Sequence, residues 1–269
     1  MDQVFFMRRD TLLVIPAYNE EESITGILNG LVGAGAQEYL DILVINDGSS
    51  DRTSETARDF GKGVRVLDLL HNMGYGAALQ TGYKYAVMHN YSWVLQMDAD
   101  GQHDPVNLPL ILEKLKETEN PPDIVIGSRF LDGGQSFKIS GIKKIAISFF
   151  RGVIRIFTGC RLTDPTSGLQ GLNRSVVEYY SGYNNFDIRY PDLNMIVQML
   201  FLGFRVEEVP AVMHPRTAGK SMHSGPFHGV RYMAVMLVST FNAYTRYHGK
   251  KEKIQKQEKS HNRKGRKEN

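Results

Sequence analysis

Apolar and polar positions fall into two patterns that alternate along the chain. The first is a set of short, often β-branched apolar runs: Thr11 to Pro16 (TLLVIP), Asp41 to Asn46 (DILVIN), Val64 to Leu69, Val94 to Met97 with Trp93 just before it, Asp123 to Gly127 (DIVIG) and Phe204 to Pro210. Short runs of this kind, bounded by turn residues, predict buried strands. The second pattern is apolar residues at helical spacing. Ile24, Ile27, Leu28 and Leu31 follow a helix start at Asn19 to Glu22; the segment from His71 to Ala78 opens a helix that runs through Gly82; Val106 to Leu115 ends before Pro121-Pro122. Lys138 to Phe157 shows a stripe of Ile139, Ile142, Ile145, Phe149, Val153 and Phe157. A helix over 189–203, starting near Pro191, turns Met195, Ile196, Met199 and Leu200 inward, and Phe227 to Tyr247 gives a last amphipathic helix. Strand, acidic turn and helix recur. The plan is therefore α/β, with a mostly parallel central sheet flanked by helices and ligands expected beyond the carboxyl ends of its strands.

The turns at those ends carry the chemistry. Val94 to Pro105 reads VLQMDADGQHDP, so a buried strand finishes in Asp98, Asp100 and Asp104. Each carboxylate raises the cost of ionising the next unless a cation sits among them. Asp98 and Asp100 can share one hard ion, with Gln102 as a neutral third oxygen; Mg²⁺ or Mn²⁺ suits such ligands and leaves positions open for phosphates. Asp104, just before Pro105, reads instead as a helix N-cap. Ala17-Tyr18 and Asp47-Gly48-Ser49-Ser50-Asp51 edge the same end of the sheet, and Ser50 or Asp51 can cap the helix that follows. Three features have two readings each. Gly74 and Gly76 either bring amides to an anion at a helix N-terminus or permit close packing. Arg129, after the Asp123 strand, either makes a structural ion pair or receives a phosphate. The loop HPRTAGKS (214–221) either closes over a diphosphate or is a solvated turn. His103 and His214 are exposed-turn candidates without an assigned role.

Composition limits the alternatives. The chain has 269 residues, 42% of them apolar and 23% charged, which is ordinary for a globular protein. Cys160 is its single cysteine, so no intramolecular disulfide forms, in keeping with a reducing cytosol. No stretch approaches the ~20 apolar residues that span a bilayer, and the N-terminus has too short an apolar core for a signal peptide. Charge is concentrated at the end: residues 246–269 hold 10 Lys or Arg against 3 Glu. Such a tail reads as disordered, with an anionic membrane surface or nucleic acid as possible partner and a solvated tail as the default. Lys143, Lys144, Arg151 and Arg155 give the 138–157 helix a basic side; it either lies in a membrane interface or packs on the core with that side in water. No internal repeat or clear second domain is visible.

In order, VIPAYNE (14–20), VINDGSSDRT (44–53), the segment 72–82, MDADGQHDP (97–105), IGSR (126–129), DPTSG (164–168) and RTAGKS (216–221) together resemble family 2 glycosyltransferases of the GT-A (Rossmann-like) fold, and most closely the polyprenyl-phosphate sugar synthases of the dolichyl-phosphate mannose synthase type. The resemblance implies that Pro16, Ala17, Tyr18 and Glu20 line the nucleotide pocket and that Asp47 holds the base or ribose. It implies that Asp98 contacts nucleotide or metal, and that Asp100 and Gln102 ligate a Mg²⁺ or Mn²⁺. Ser128 and Arg129 would receive the lipid phosphate, Lys144 and Ser148 lie near it with looser spacing, and Arg216, Lys220 and Ser221 close on the donor diphosphate. The implied organisation is a catalytic domain over 1–225 that includes an interface helix at about 138–158, a C-terminal amphipathic helix over 226–248, and a basic tail over 249–269. The implied activity is inverting transfer of a hexose or N-acetylhexosamine from a UDP- or GDP-sugar to a polyprenyl phosphate, on the cytoplasmic face of a membrane and without nucleic acid. Many relatives carry C-terminal transmembrane helices that this sequence lacks, so anchoring falls to the amphipathic helices, the tail or a small membrane subunit. Two rivals stay open: transfer to a saccharide hydroxyl, with Asp104 or Asp132 as base, and a non-catalytic sugar-nucleotide-binding subunit.

Overall fold

The computed structural model describes residues 9–135, 141–189 (backbone alone for 141–146) and 191–215, together with Val238, Phe241, Asn242, Tyr244 and Thr245. Among these residues seven strands form one sheet: β1 Thr11–Ala17, β2 Asp41–Asn46, β3 Val64–Asp68, β4 Trp93–Gln96, β5 Ile124–Ser128, β6 Gln170–Asn173 and β7 Val206–Pro210. Their spatial order is β3-β2-β1-β4-β6-β5-β7. All neighbours pair in parallel except at β6, which is antiparallel to both β4 and β5. The expected mostly parallel sheet is present, and β6 lets β4 and β5 end on the same side, two strand spacings or roughly 10 Å apart.

Among the described residues, seven α-helices with both bounds defined flank the sheet: α1 Glu21–Gly33, α2 Thr53–Phe60, α3 Tyr75–Met88, α4 Asn107–Leu115, α5 Gly141–Thr158, α6 Arg174–Ser181 and α7 Leu193–Leu202. Alternate strand residues feed two cores, as the two-residue period of a strand requires. Leu12, Val14, Leu43, Ile45 and Val94 face the side covered by α3, α6 and α7, while Leu13, Ile15, Ile42, Val44 and Leu95 face α1 and α4. Tyr83, Tyr180 and Phe186 join α3, α6 and the chain before α7, with ring centroids 4.9 to 5.7 Å apart.

The structure corrects the sequence reading at four points. Helix α6 was not expected; it is one short pair of turns, started by Asn173, whose side chain accepts a bond from the Val176 amide. Helix α4 begins at Asn107, one residue later than expected, and Asp104 caps the turn through Pro105 that leads into it: its Oδ1 accepts the Val106 N–H at 2.9 Å and its carbonyl accepts the Asn107 N–H at 3.1 Å. The inward stripe of α5 is Ile147, Phe150, Val153 and Ile154, while Phe149 is 44% exposed. His103 is buried, because the acidic turn pairs through it with Met213 in an isolated bridge. Asp51 does cap α2, accepting the Thr53 amide at 3.0 Å. Of the last predicted helix, the described residues Val238, Phe241, Asn242, Tyr244 and Thr245 are helical, and Tyr244 packs on Phe157 and Phe201. The tail lies outside the described residues. Among those residues no helix is long and apolar enough to cross a membrane.

Two outcomes follow from this packing. A Cβ on Gly82 would overlap the Cγ1 of Val14, a fully buried strand residue that has no room to turn away. Gly82→Ala gains about 1 kcal/mol of helix propensity but incurs roughly 1–3 kcal/mol of overpacking, so its urea midpoint should fall. Asp41 accepts bonds from Tyr91 (2.6 Å) and Arg9 (2.9 Å) with Arg65 at 3.3 Å. Burial works to raise its carboxyl, and those partners outweigh it, leaving it below the ordinary 3.8. With the folded value below the unfolded one, the group's contribution is complete above that ordinary value and is lost as pH falls through the folded value. Asp41→Asn should therefore lower stability at neutral pH and flatten the loss on acidification, read from denaturation midpoints across the acid range.

Candidate active site

The carboxyl ends of β2, β1 and β4 lie side by side and form a crevice. Pro16 and Ala17 end β1 as buried backbone, and Tyr18, just beyond, is 45% exposed. Glu20 closes the turn: its amide donates to Thr53 Oγ1 at 2.8 Å and its carboxylate accepts from Ser23 at 2.7 Å. The single Ser23 hydroxyl proton is shared with the Ala99 carbonyl, 2.8 Å away, which ties the start of α1 to the acidic turn.

Asp47 has a visible task of its own. Its two oxygens accept the Met73 and Gly74 amides at 2.7 and 2.8 Å, at the N-terminus of α3. The anion at that helix end is thus a side chain of the protein, favoured by the helix dipole. Gly76 fills the packing role: a Cβ there would come within 2.6 Å of the Asp187 and Ile188 carbonyl oxygens. Both readings of the glycines hold, one for each.

The acidic turn after β4 is fixed from several directions. Asp98 Oδ1 accepts the Tyr75 hydroxyl at 2.8 Å, and Oδ2 lies 3.5 Å from His103 Nε2. Burial, and then the Asp98 charge, push the Tyr75 phenol well above its ordinary value, so it stays a donor. Asp100 Oδ1 accepts the Gln102 amide at 3.0 Å. The Gln102 carbonyl accepts the His214 amide at 2.7 Å, and His214 Nε2 meets Asp104 Oδ2 at 2.8 Å. The segment that leads into residues 216–221 is therefore stapled to the acidic turn. Among the described residues no group of three His, Cys, Asp or Glu is arranged to hold a metal. The donor set here is two carboxylates and the Gln102 amide within five residues; it fits a hard divalent ion that keeps sites for phosphate oxygens.

Beyond β5 the chain builds an ion pair around a buried carboxylate. Asp164 is fully buried and accepts Arg129 Nε at 2.6 Å, Nη2 at 2.7 Å and the Arg129 amide at 3.1 Å. This fork-to-fork pair fixes the guanidinium plane. Ser128 is fully buried, with its Oγ 2.6 Å from Thr163 Oγ1, so it braces the turn from beneath. Glu208 on β7 accepts the Thr163 and Asp164 amides, both at 2.6 Å. The 164–168 turn then runs back to the acidic turn: a Cβ on Gly168 would overlap Asp98 Oδ2. The two predicted halves, acidic and cationic, are thereby joined by one short segment.

Ser148 is on the exposed side of α5. Arg216, Lys220 and Ser221 and the Lys144 side chain lie outside the described residues. Sequence reasoning gave no role to Tyr75, Asp164 or Glu208. DPTSG marked a turn, but nothing local connects Asp164 to an arginine 35 positions away.

Comparison with known proteins shows the family. The family model described as Glycosyl transferase family 2 matches residues 12–180. The undecaprenyl-phosphate mannosyltransferase of Micrococcus luteus is 33% identical over 88% of this chain and 96% of that protein. The polyprenol monophosphomannose synthase of Mycolicibacterium smegmatis is 29% identical over 80% of this chain and 81% of its own. Among solved structures, glucosyl-3-phosphoglycerate synthase from Mycobacterium tuberculosis, in complex with Mn²⁺, UDP-glucose and phosphoglyceric acid, superposes with a TM-score of 0.66 at 18% identity, covering 88% of this chain and 80% of that one. That likeness is one of fold.

Removing the buried carboxylate leaves Arg129 half-buried without its partner. Breaking such a pair from one side costs about 3–5 kcal/mol. Asp164→Ala should lower unfolding free energy by an amount of that order in a denaturant titration, whereas Asp164→Asn, which keeps one acceptor, should lose less.

Proposed function

The chain belongs to glycosyl transferase family 2, and from that premise we propose that it transfers a hexose or N-acetylhexosamine from a UDP- or GDP-sugar to a polyprenyl phosphate, with inversion at the anomeric carbon. The reading is supported above all by one observation: an Asp-oriented arginine at the end of β5 is linked by the 164–168 turn to the carboxylates at the end of β4. A cation-binding turn suits a nucleoside diphosphate, and an oriented guanidinium suits a second phosphate. The relatives named for undecaprenyl-phosphate and polyprenol-phosphate substrates point to a lipid as the bearer of that second phosphate.

On this reading Pro16, Ala17, Tyr18 and Glu20 border the nucleotide, and Asp47 acts beside it by holding the Met73-Gly74 loop. Asp98, Asp100 and Gln102 would hold a Mg²⁺ or Mn²⁺, which when bound supplies positive charge against the donor diphosphate. The acceptor phosphate is already ionised at neutral pH, so the site needs no general base. Arg129 aligns a phosphate oxygen behind the anomeric carbon. The new bond joins that oxygen to the carbon, the bond from the carbon to the β-phosphate oxygen breaks, and its electron pair leaves with the nucleoside diphosphate. Arg216 and Lys220 stabilise the charge that grows there, with Ser221 beside them.

The enzyme would work peripherally on the cytoplasmic face of the membrane, either unaided or with a small membrane subunit. Exposed Phe149 and Ile156 on α5, with Val238 and Phe241 of the last helix, supply apolar contacts for that surface.

The test is transfer of radiolabelled sugar from each UDP- or GDP-sugar into lipid extractable by organic solvent, with Mn²⁺ and undecaprenyl phosphate. Label should enter the organic phase with one donor, and Asp100→Ala should reduce the rate by about 10²-fold or more. Label remaining wholly in water, or appearing on a soluble saccharide, would refute the lipid acceptor.

A further inference from the structure

Tyr75 is the first residue of α3, and its side chain leaves the helix to meet the acidic turn, where the hydroxyl donates to Asp98 Oδ1 at 2.8 Å. Nothing above gives that bond a task. The other oxygen of Asp98 is confined as well: Oδ2 lies 3.5 Å from His103 Nε2, and a Cβ on Gly168 would overlap it. With one oxygen held by a phenol and the other bounded by the 164–168 turn, the carboxylate keeps one plane. A partly exposed aspartate without such neighbours would exchange among rotamers.

Tyr75 is itself placed by what precedes and follows it. Asp47, just past the end of β2, accepts the Met73 and Gly74 amides at 2.7 and 2.8 Å, so the chain enters α3 from a fixed point. Gly74 then takes φ 96° and ψ 157°, a conformation that residues with a Cβ avoid, and the next side chain reaches the end of β4. On the far side, a Cβ on Gly76 would come within 2.6 Å of the Asp187 and Ile188 carbonyl oxygens, so the first turn of α3 cannot shift toward that loop. The start of α3 thus spans from a carboxylate after β2 to a carboxylate after β4, past the end of β1.

The chemistry of the donor matters too. A lysine or arginine at this distance would also orient Asp98, but its charge would oppose the arrival of a cation. A phenol holds the carboxylate and leaves its negative charge in place. Carboxylates that ligate metals are commonly hydrogen-bonded from outside in this manner, and losing such a partner costs about 10- to 100-fold in metal affinity.

We propose that Tyr75 is a positioning residue for the divalent cation, acting through Asp98, whose carboxylate it holds in the orientation from which the cation is bound. This rests on the reading of Asp98, Asp100 and Gln102 as cation ligands given under Proposed function. It adds that the nucleotide side of the crevice sets the metal side, through the first turn of α3.

The experiment is a Mn²⁺ titration of the full chain with UDP in one series and GDP in another, following the electron paramagnetic resonance signal of free Mn²⁺ and subtracting uptake by the nucleotide alone. Tyr75→Phe removes the donor and keeps the ring, and its Mn²⁺ dissociation constant should rise about 10- to 100-fold over wild type. Tyr83→Phe removes a second phenol from the same helix, one that bonds Gln96 and not the acidic turn, and should leave the constant unchanged. In sugar transfer, the Tyr75→Phe rate should recover as Mn²⁺ is raised, because the ligands themselves remain. A Tyr75→Phe constant within twofold of wild type would overturn the proposal. Equal weakening in both variants would overturn it as well, since the cause would then be a general loosening of α3. Wild-type protein that takes up no Mn²⁺ with either nucleotide would remove the parent reading of the acidic turn, and this proposal with it, so the two failures are told apart.

Discussion

A carboxylate without access to solvent governs this site. Asp164 is fully buried, and the charge it carries is tolerated because Arg129 meets both of its oxygens while its own amide is held by Glu208. Buried pairs of this kind add little to stability compared with well-packed apolar groups, and their benefit lies in fixing one geometry. Here the geometry fixed is the plane of a guanidinium at the end of a strand. An exposed arginine would lose that orientation to rotamer freedom; a clamped one presents its remaining donors in a constant direction.

Sheet topology explains why such a clamp can matter to the acidic turn. Strands β4 and β5 run in parallel but are separated by β6, so their carboxyl ends are near each other without touching. The segment that enters β6 must pass between those ends, and it is this segment, 164–168, that carries Asp164 at one side and Gly168 at the other. Any side chain at Gly168 would collide with Asp98. A single antiparallel strand thereby sets the distance between the acidic turn and the clamped arginine.

What was legible in the sequence was what local chemistry determines. The strands declared themselves through short apolar runs, and the acidic turn through three carboxylates in seven residues. Strand β6 and its antiparallel orientation were not legible, since Gln170 to Asn173 is four residues with a single large apolar side chain. The stripe of α5 was mis-phased because apolar residues occupy too many of its faces; contact with the core, not the sequence period, selects Ile147, Phe150 and Ile154. His103 looked exposed among polar neighbours and is buried because the chain at Met213, more than a hundred positions on, bridges to it. The partner of Arg129 was hidden for the same reason: a pairing across 35 residues leaves no periodic trace.

The use of Asp47 bears on how a donor diphosphate is neutralised. Helix N-termini commonly hold phosphates, and α3 opens toward the crevice beside β2 and β1. Yet the amides of Met73 and Gly74, immediately before the helix, already bond a buried carboxylate, and Gly76 is pressed against the Asp187 and Ile188 carbonyls. A second anion at that end would meet a negative charge and find those amides engaged. On the proposed reading, the charge of the diphosphate then has to be met on the other side of the crevice, by a cation held at Asp98 and Asp100 and by the basic residues that follow His214. The staple between His214 and the 102–104 turn ties the chain just before those basic residues to the acidic turn. Neutralisation concentrated there falls on the departing phosphate end of the donor, where charge develops during transfer, and not on the nucleotide end, where it would strengthen binding of substrate and transition state alike.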